Sequence, residues 1–302
     1  MTKTTTNLLL MIITILAGIY FYMNYCSSCG TTVIEEPVKE AVTAPATPEA
    51  TSYPFAFSDG AYAYNENDNY NFNVSSSSIL TPLSQKVTDG IASLKTFLAE
   101  NAGKVINVTG YYKSDETNNT AYPNLGLARA NAVKNHLVEN GISSTQINTM
   151  GKLMDDMVSK DNVYLGPVAY GLADQAADAE DELKALYEKI KANPLVLYFD
   201  TAEASINLTA EQRQKVADIS RYLDKVSDAK ASVVGHTDNT GKASSNMRLG
   251  QNRADFAKDY LMKNGISAAK INATSKGQTQ PIESNATDAG KAKNRRTVVT
   301  LN

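Results

Sequence analysis

RANAVKNHLVENGISSTQIN, from Arg129 to Asn148, and RADFAKDYLMKNGISAAKIN, from Arg253 to Asn272, are two copies of one pattern. They register without a gap at an offset of 124 residues. Self-similarity at a fixed spacing marks a duplicated folding unit. In the second copy Leu249, Phe256, Ala257, Tyr260 and Leu261 fall on one face of a helix running from about Ser244 to Lys263. Asn264-Gly265 stops that helix, because glycine takes the left-handed cap without a Cβ penalty. The matching positions of the first copy are Ala132, Val133, His136 and Leu137, so His136 replaces Tyr260 on the buried side, a packing role.

Outward from this core, Leu125-Gly126 matches Leu249-Gly250 at the same offset, and Val108-Thr109-Gly110 faces Val233-Val234-Gly235 with the offset slipping by one. Each copy reads as strand, helix, strand, helix, strand, strand. In the second copy the first strand is Leu195 to Phe199, after the helix-stopping Asn193-Pro194. A helix follows from the N-cap Thr209 to about Val226, then strands at Ser232 to Gly235, from Ile271, and from Thr297 to Leu301. In the first copy the last strand is expected at Val163 to Val168. Asp174 to Ala192 reads as a separate amphipathic helix whose stripe of Leu183, Leu186, Tyr187 and Ile190 docks on an adjacent domain as a spacer.

Leu8 to Met23 is an uncharged apolar run that, extended to Cys26, reaches the length of a spanning helix, about 17 residues at the least. Lys3 precedes it and Glu35 and Glu36 follow, which places the N-terminus in the cytoplasm and the rest outside it. A cleaved signal and a lipoprotein signal compete with this anchor. Ser28 and Gly30 match a cleavage site weakly, and Tyr25 stands where a lipobox carries a small residue. Cys26-Ser-Ser-Cys29 has redox spacing but not the βαβ context, so a small disulfide loop or an intermolecular bridge is expected. From Thr31 the chain is rich in Pro, Ala, Thr and Glu with no apolar face, a tether reaching roughly 70 Å at about 3.1 Å per residue.

The expected architecture is therefore α+β. An N-terminal transmembrane helix (1–30) and a flexible linker (31–53) lead to a first βαβαββ domain (54–172). A connecting helix (173–193) and a second such domain (194–302) follow, each with helices packed on a mixed sheet. A net charge of −3 leaves no excess of Lys and Arg to neutralise phosphates, which excludes a nucleic-acid binder. The two histidines, His136 and His236, have no metal-ligand spacing around them, and no cofactor or metal is expected.

The second copy resembles the OmpA-like, or OmpA/MotB C-terminal, family of peptidoglycan-binding domains. The residues that carry the resemblance are Gly235-His-Thr-Asp238-Asn239-Thr-Gly241, then Asn246-Met-Arg-Leu249-Gly-Gln-Asn-Arg253-Ala254, then Gly277 with Pro281, and Asn294-Arg295-Arg296. The resemblance implies a two-point grip on the meso-diaminopimelate of a peptidoglycan stem peptide, whose distal carbon carries a carboxylate and an ammonium. Asp238 would accept from the ammonium, and the Arg253 fork would meet the carboxylate. Asn246 and the loop backbone around Thr237 and Asn239 would add hydrogen bonds, with Leu249 as a wall and Arg296 as a further donor. Gly250, where the family has Ser, bears on helix stability more than on ligand contact, since Gly costs about 1 kcal/mol in a helix.

The first copy keeps Arg129 but has Lys113 at the position of Asp238 and Tyr122 at that of Asn246, and no N-R-R precedes its last strand. A lysine repels the ammonium it should receive. Asp115 lies close enough to substitute only if the loop shifts. The first domain is expected to keep the fold, to lose this ligand, and to act as a spacer or bind a protein partner. The absence of an acid in the membrane helix, Leu8 to Met23, argues against a stator-type channel subunit. Neither a carboxylate pair nor a Cys/His constellation points to a wall hydrolase. The expectation is a non-enzymatic protein of the Gram-negative envelope, held in a membrane by its N-terminal helix. Its domains lie in the periplasm on peptidoglycan, and the alternative is a scaffold in a larger envelope complex.

Overall fold

The computed structural model describes residues 3–26 and 49–302, and the chain divides into two compact units, Met1–Pro48 and Glu49–Asn302. In the first unit, helix α1 (Lys3–Phe21) runs into a π-helical turn, Tyr22–Cys26. Thr4–Tyr25 has a mean hydropathy of 1.9 over its most apolar window, and is long and apolar enough to cross a membrane. At about 1.5 Å per residue it matches a hydrocarbon layer of about 30 Å. Cys29, the side chain of Cys26 and residues 31–48 of the expected tether lie outside the described residues.

The second unit holds both copies. The first opens with a hairpin, β1 (Phe55–Asp59) against β2 (Tyr62–Glu66), that the repeat pattern did not foretell. After the short β3 (Phe72–Asn73) come α2 (Gln85–Glu100), β4 (Lys104–Tyr112), α3 (Leu125–Glu139) and β5 (Ile147–Leu153). The segment expected as the last strand is only the two-residue β6 (Val163–Tyr164), paired with β3. Gly166-Pro167 breaks it, and the closing strand is β7 (Val168–Asp174), antiparallel to β4. The sheet order is β5-β4-β7, with β4 and β5 parallel.

Helix α4 (Ala179–Ala192) begins five residues later than expected, because Asp174 ends β7. Its Ile190 is buried in the core of the second copy and Leu186 packs against it, so the stripe docks as expected. The second copy follows as β8 (Leu195–Tyr198), α5 (Ala210–Lys225), β9 (Ala231–His236), α6 (Ala243–Lys263), β10 (Ile271–Gly277), the short α7 (Asp288–Asn294) and β11 (Arg296–Leu301). Thr209 caps α5 in a reciprocal box with Gln212, worth about 1 kcal/mol. The order is β10-β9-β11-β8, a mixed sheet in which β9 and β10 are parallel and β11 is antiparallel to its neighbours. Leu195, Leu197, Val233 and Val299 of the sheet meet Val216, Ile219 and Leu223 of α5 and Ala254, Ala257 and Leu261 of α6. Full burial of each large aliphatic contributes roughly 1.5–3 kcal/mol.

One contact positions the site in both copies. A Cβ on Gly235 would lie 1.8 Å from the Gly250 carbonyl oxygen, and a Cβ on Gly110 2.0 Å from that of Gly126. Helix and strand thus meet backbone to backbone, and the arginine one turn beyond each helical glycine is pressed against the end of the central strand. Gly250 has a packing reason: a Cβ there would meet Ser275 Oγ at 2.3 Å.

Candidate ligand site

Arg253 projects from α6 into a cradle of three backbone carbonyls. Its Nε donates to Glu203 O (2.8 Å), Nη1 to His236 O (2.9 Å) and Nη2 to Asp200 O (3.0 Å). The guanidinium carbon lies 5.0 Å from the Phe199 ring centroid, a cation–π contact, and the residue is 0% exposed. Burial presses its pKa down to about 10, with Arg295 adding to the effect and Asp238 and Glu203 opposing it, so it stays charged at neutral pH. Three of its five N–H groups are used in the cradle. Among the described residues no carboxylate pairs with it.

Asp238 stands on the loop after β9, 5% exposed. Its Oδ1 accepts from the Thr240 amide (2.9 Å) and its Oδ2 from Arg295 Nη1 (3.1 Å). Burial pushes the carboxyl pKa up, but the Thr240 N–H and the Arg295 guanidinium outweigh it and hold the group below the usual carboxylate range. Asn246, buried on the first turn of α6, donates to Asp238 O (3.3 Å) and Gln278 Oε1 (2.5 Å), tying the loop to the segment after β10. Thr237 fixes the same loop: its amide donates to Gly277 O (2.9 Å) and its hydroxyl to Asp238 O (2.8 Å). Asn239 is exposed at the loop tip and Leu249 is half-buried on α6.

Arg296 departs from the expected arrangement. Thr297 and Val299 face the helices, so Arg296 faces the other side of the sheet, where its Nη2 donates to Gln280 O (3.3 Å). It lies across from His236, whose pKa is pushed down to about 4 by burial and by Arg296 and Lys276. The residue that reaches the site is Arg295, which sequence reading passed over. No sequence signal separated the two: Arg295 is the C-cap of α7 and Arg296 is the first residue of β11. Asn294 is structural: its side chain accepts from the Ile282 and Glu283 amides and donates to Glu283 O.

The first copy builds the same cradle. Arg129 Nε donates to Ser76 O (3.0 Å), Nη1 to Tyr111 O (2.8 Å) and Nη2 to Asn73 O (3.5 Å). Phe72 and Tyr164 flank its guanidinium. Here, however, the fork is filled by Glu116: Oε2 accepts from Nη1 (3.0 Å) and Oε1 from Nη2, both side chains being wholly buried. Asp115 is not the substitute acid; it is largely exposed and pairs with Lys113 Nζ (3.5 Å). His136 is half-buried, with Nδ1 2.9 Å from the Tyr70 hydroxyl, in keeping with a packing role. Among the described residues no group of three or more His, Cys, Asp and Glu side chains is placed to hold a metal.

Two mixed sheets with helices on one face, each with an arginine held in a carbonyl cradle, define a duplicated domain of one class. The family model for the OmpA family matches residues 71–163 and 198–295, well over half the chain, and the protein belongs to that family. Among curated relatives, the chain is 30% identical over 144 residues to the probable lipoprotein YiaD of Escherichia coli, covering 45% of this chain and 65% of that one. It is 32% identical over 121 residues to the peptidoglycan-associated lipoprotein of Buchnera aphidicola, covering 40% and 68%. Among solved structures, the peptidoglycan-associated lipoprotein of Burkholderia pseudomallei shares 26% identity over 35% of this chain and 89% of its own, with a TM-score of 0.34. The match thus spans just under two thirds of the E. coli lipoprotein and only a quarter of a Pseudomonas fluorescens porin F.

Proposed function

We propose that this protein binds peptidoglycan through its C-terminal copy and ties a membrane to the cell wall. The observation that carries the reading is the juxtaposition of an ionised Asp238 with a buried, charged Arg253 that has no carboxylate partner among the described residues. At the position where the first copy carries Glu116, the second has Gly241, with open space beyond its Cα. On this reading a ligand carboxylate reaches the buried Arg253 fork from that side, displacing the loop that covers it. Asp238 then takes the ammonium of the same ligand, in exchange for Arg295.

A carbon bearing both groups matches this pair, and the distal end of meso-diaminopimelate in a stem peptide is such a carbon. Asn246 and Thr237 hold the loop, Asn239 and Leu249 border it, and Arg296 acts from the other face of the sheet as a structural residue. Charge-assisted hydrogen bonds are worth about 1.5–3 kcal/mol each, so single contacts are weak and repetition along the wall supplies avidity. The names of the peptidoglycan-associated relatives agree with this reading. Thr4–Tyr25, long and apolar enough to cross a membrane, supports the reading of a membrane anchor with both copies in the periplasm. No chemistry beyond binding is assigned. The first copy is left to serve as a spacer or to hold a protein partner.

Competition tests the ligand. Free meso-diaminopimelate should release the protein from purified wall, and Nα-acetyl-lysine amide, which keeps a distal ammonium but has no free carboxylate, should not. Equal release by both would remove Arg253 from the proposed grip.

A further inference from the structure

We propose that Glu116 is a tethered ligand of the first copy: its carboxylate occupies the Arg129 fork as an external carboxylate would, and leaves that copy permanently closed. The cradles correspond donor by donor. Nη1 meets the carbonyl at the end of the central strand, Tyr111 or His236. Nε and Nη2 meet two carbonyls three residues apart, Ser76 and Asn73 or Glu203 and Asp200. What differs is the occupant of the fork.

The carboxylate has a complete set of partners. Oε1 accepts from the Ser75 amide (2.9 Å) and from Arg129, and Oε2 from the Lys113 amide (2.9 Å) and from Arg129. Four donors around two oxygens is the coordination of a bound carboxylate, not of a surface side chain that happens to lie near an arginine. The loop is shaped to deliver it: Ser75 takes a left-handed φ of 58°, and its Oγ accepts from the Thr117 amide (3.0 Å), closing the 73–76 and 113–117 segments on each other. Lys113, in place of the aspartate, pairs outward with Asp115 and offers nothing to an ammonium. An opened fork would therefore take a simple carboxylate and not a zwitterionic end.

The analogy rests on the reading that Arg253 receives a carboxylate, but its test is read on Arg129 alone, so failure of wall binding by the C-terminal copy leaves it standing. The full chain in detergent is compared by calorimetry with Glu116→Ala, Glu116→Gln and a Glu116→Ala/Arg129→Met double variant, in sodium acetate, sodium chloride and methylammonium chloride at one ionic strength. Glu116→Ala should lose roughly 10 °C in Tm in chloride and regain at least half of it, saturably, in acetate only. The double variant should not respond. If Glu116→Ala folds only in acetate, the result is the same in kind. Glu116→Gln fills the space without the charge, so it should fall in Tm by a similar amount and ignore acetate. An acetate response of Glu116→Ala no larger than that of the parent overturns the proposal. A parental Tm for Glu116→Gln also overturns it, and decides the matter if Glu116→Ala folds in no salt.

Discussion

Arg295 holds Asp238: its Nη1 lies 3.1 Å from Oδ2, while its Nε donates to the Phe199 carbonyl at 3.0 Å. The first of the paired arginines thus neutralises the acid that is proposed to receive a ligand ammonium, and the exchange of one cation for another lets Asp238 stay ionised throughout. Removing Arg295 should let the Asp238 carboxyl titrate higher, because one of the groups holding it down is gone. Carboxyl NMR titration of Arg295→Met against the parent reads the shift. An unmoved titration would mean that the Thr240 amide alone holds the group.

Acid should act on a second group first. His236 is neutral in the fold down to about pH 4, against an ordinary value of about 6.5 in the unfolded chain. Between those values the unfolded chain binds more protons, so stability falls as pH drops from about 6.5 to 4. Asp238 has its pKa depressed, and its contribution is lost only below the ordinary carboxylate range. A Tm series from pH 7 to 4.5 should therefore flatten in His236→Asn. An unchanged slope would place the acid sensitivity elsewhere.

The close approach of α6 to β9 makes a strong prediction. Gly235→Ala puts a methyl 1.8 Å from a backbone oxygen that cannot yield without moving the helix, and should cost about 3 kcal/mol or more in urea unfolding. Gly250→Ser meets chiefly the rotatable Ser275 side chain, and should cost less than half as much. Equal costs would show that helix and strand adjust together.

The two copies are pinned by Lys134, 4% exposed, whose ammonium pairs with the Asp224 carboxylate of α5. Next to it Lys225 Nζ donates to Thr145 O (2.6 Å) and Ile147 O (3.0 Å). Asp224→Ala leaves Lys134 buried without its partner, and should destabilise the chain by about 3 kcal/mol. Lys134→Met with Asp224→Ala should recover most of that. A harmless Asp224→Ala would show that the copies do not depend on this pair.

Much of this was legible in the sequence because local chemistry and global fold agree. The gapless register of Arg129–Asn148 with Arg253–Asn272 gave the duplication, the Thr209 cap gave the start of α5, and the resemblance to the OmpA-like family pointed to Asp238 and Arg253 as the two charges of the proposed site. What escaped depends on other physics. The β1–β2 hairpin had its signal in Gly60-Ala61 between alternating aromatics, Phe55 and Phe57 on one side and Tyr62 and Tyr64 on the other, but it lies outside the repeat. Val163–Val168 is apolar enough for a strand, yet Gly166-Pro167 divides it, and the strand starts after the break. Glu116 could not be told from Asp115 by charge or spacing, because the choice between them is made by the turn at Ser75. Arg295 and Arg296 have the same chemistry, and only the boundary between α7 and β11 separates them.

The central claim is tested most directly by sedimenting the full chain with purified diaminopimelate-type peptidoglycan, beside its Asp238→Asn, Arg253→Lys and Glu116→Gln variants. The account predicts that the parent and Glu116→Gln co-sediment alike. Asp238→Asn and Arg253→Lys, which remove one charge and one bidentate fork, should each bind roughly 10-fold more weakly or worse while remaining folded. Undiminished binding by the folded Asp238→Asn and Arg253→Lys proteins would contradict it, and would place the wall contact away from the carbonyl cradle of α6.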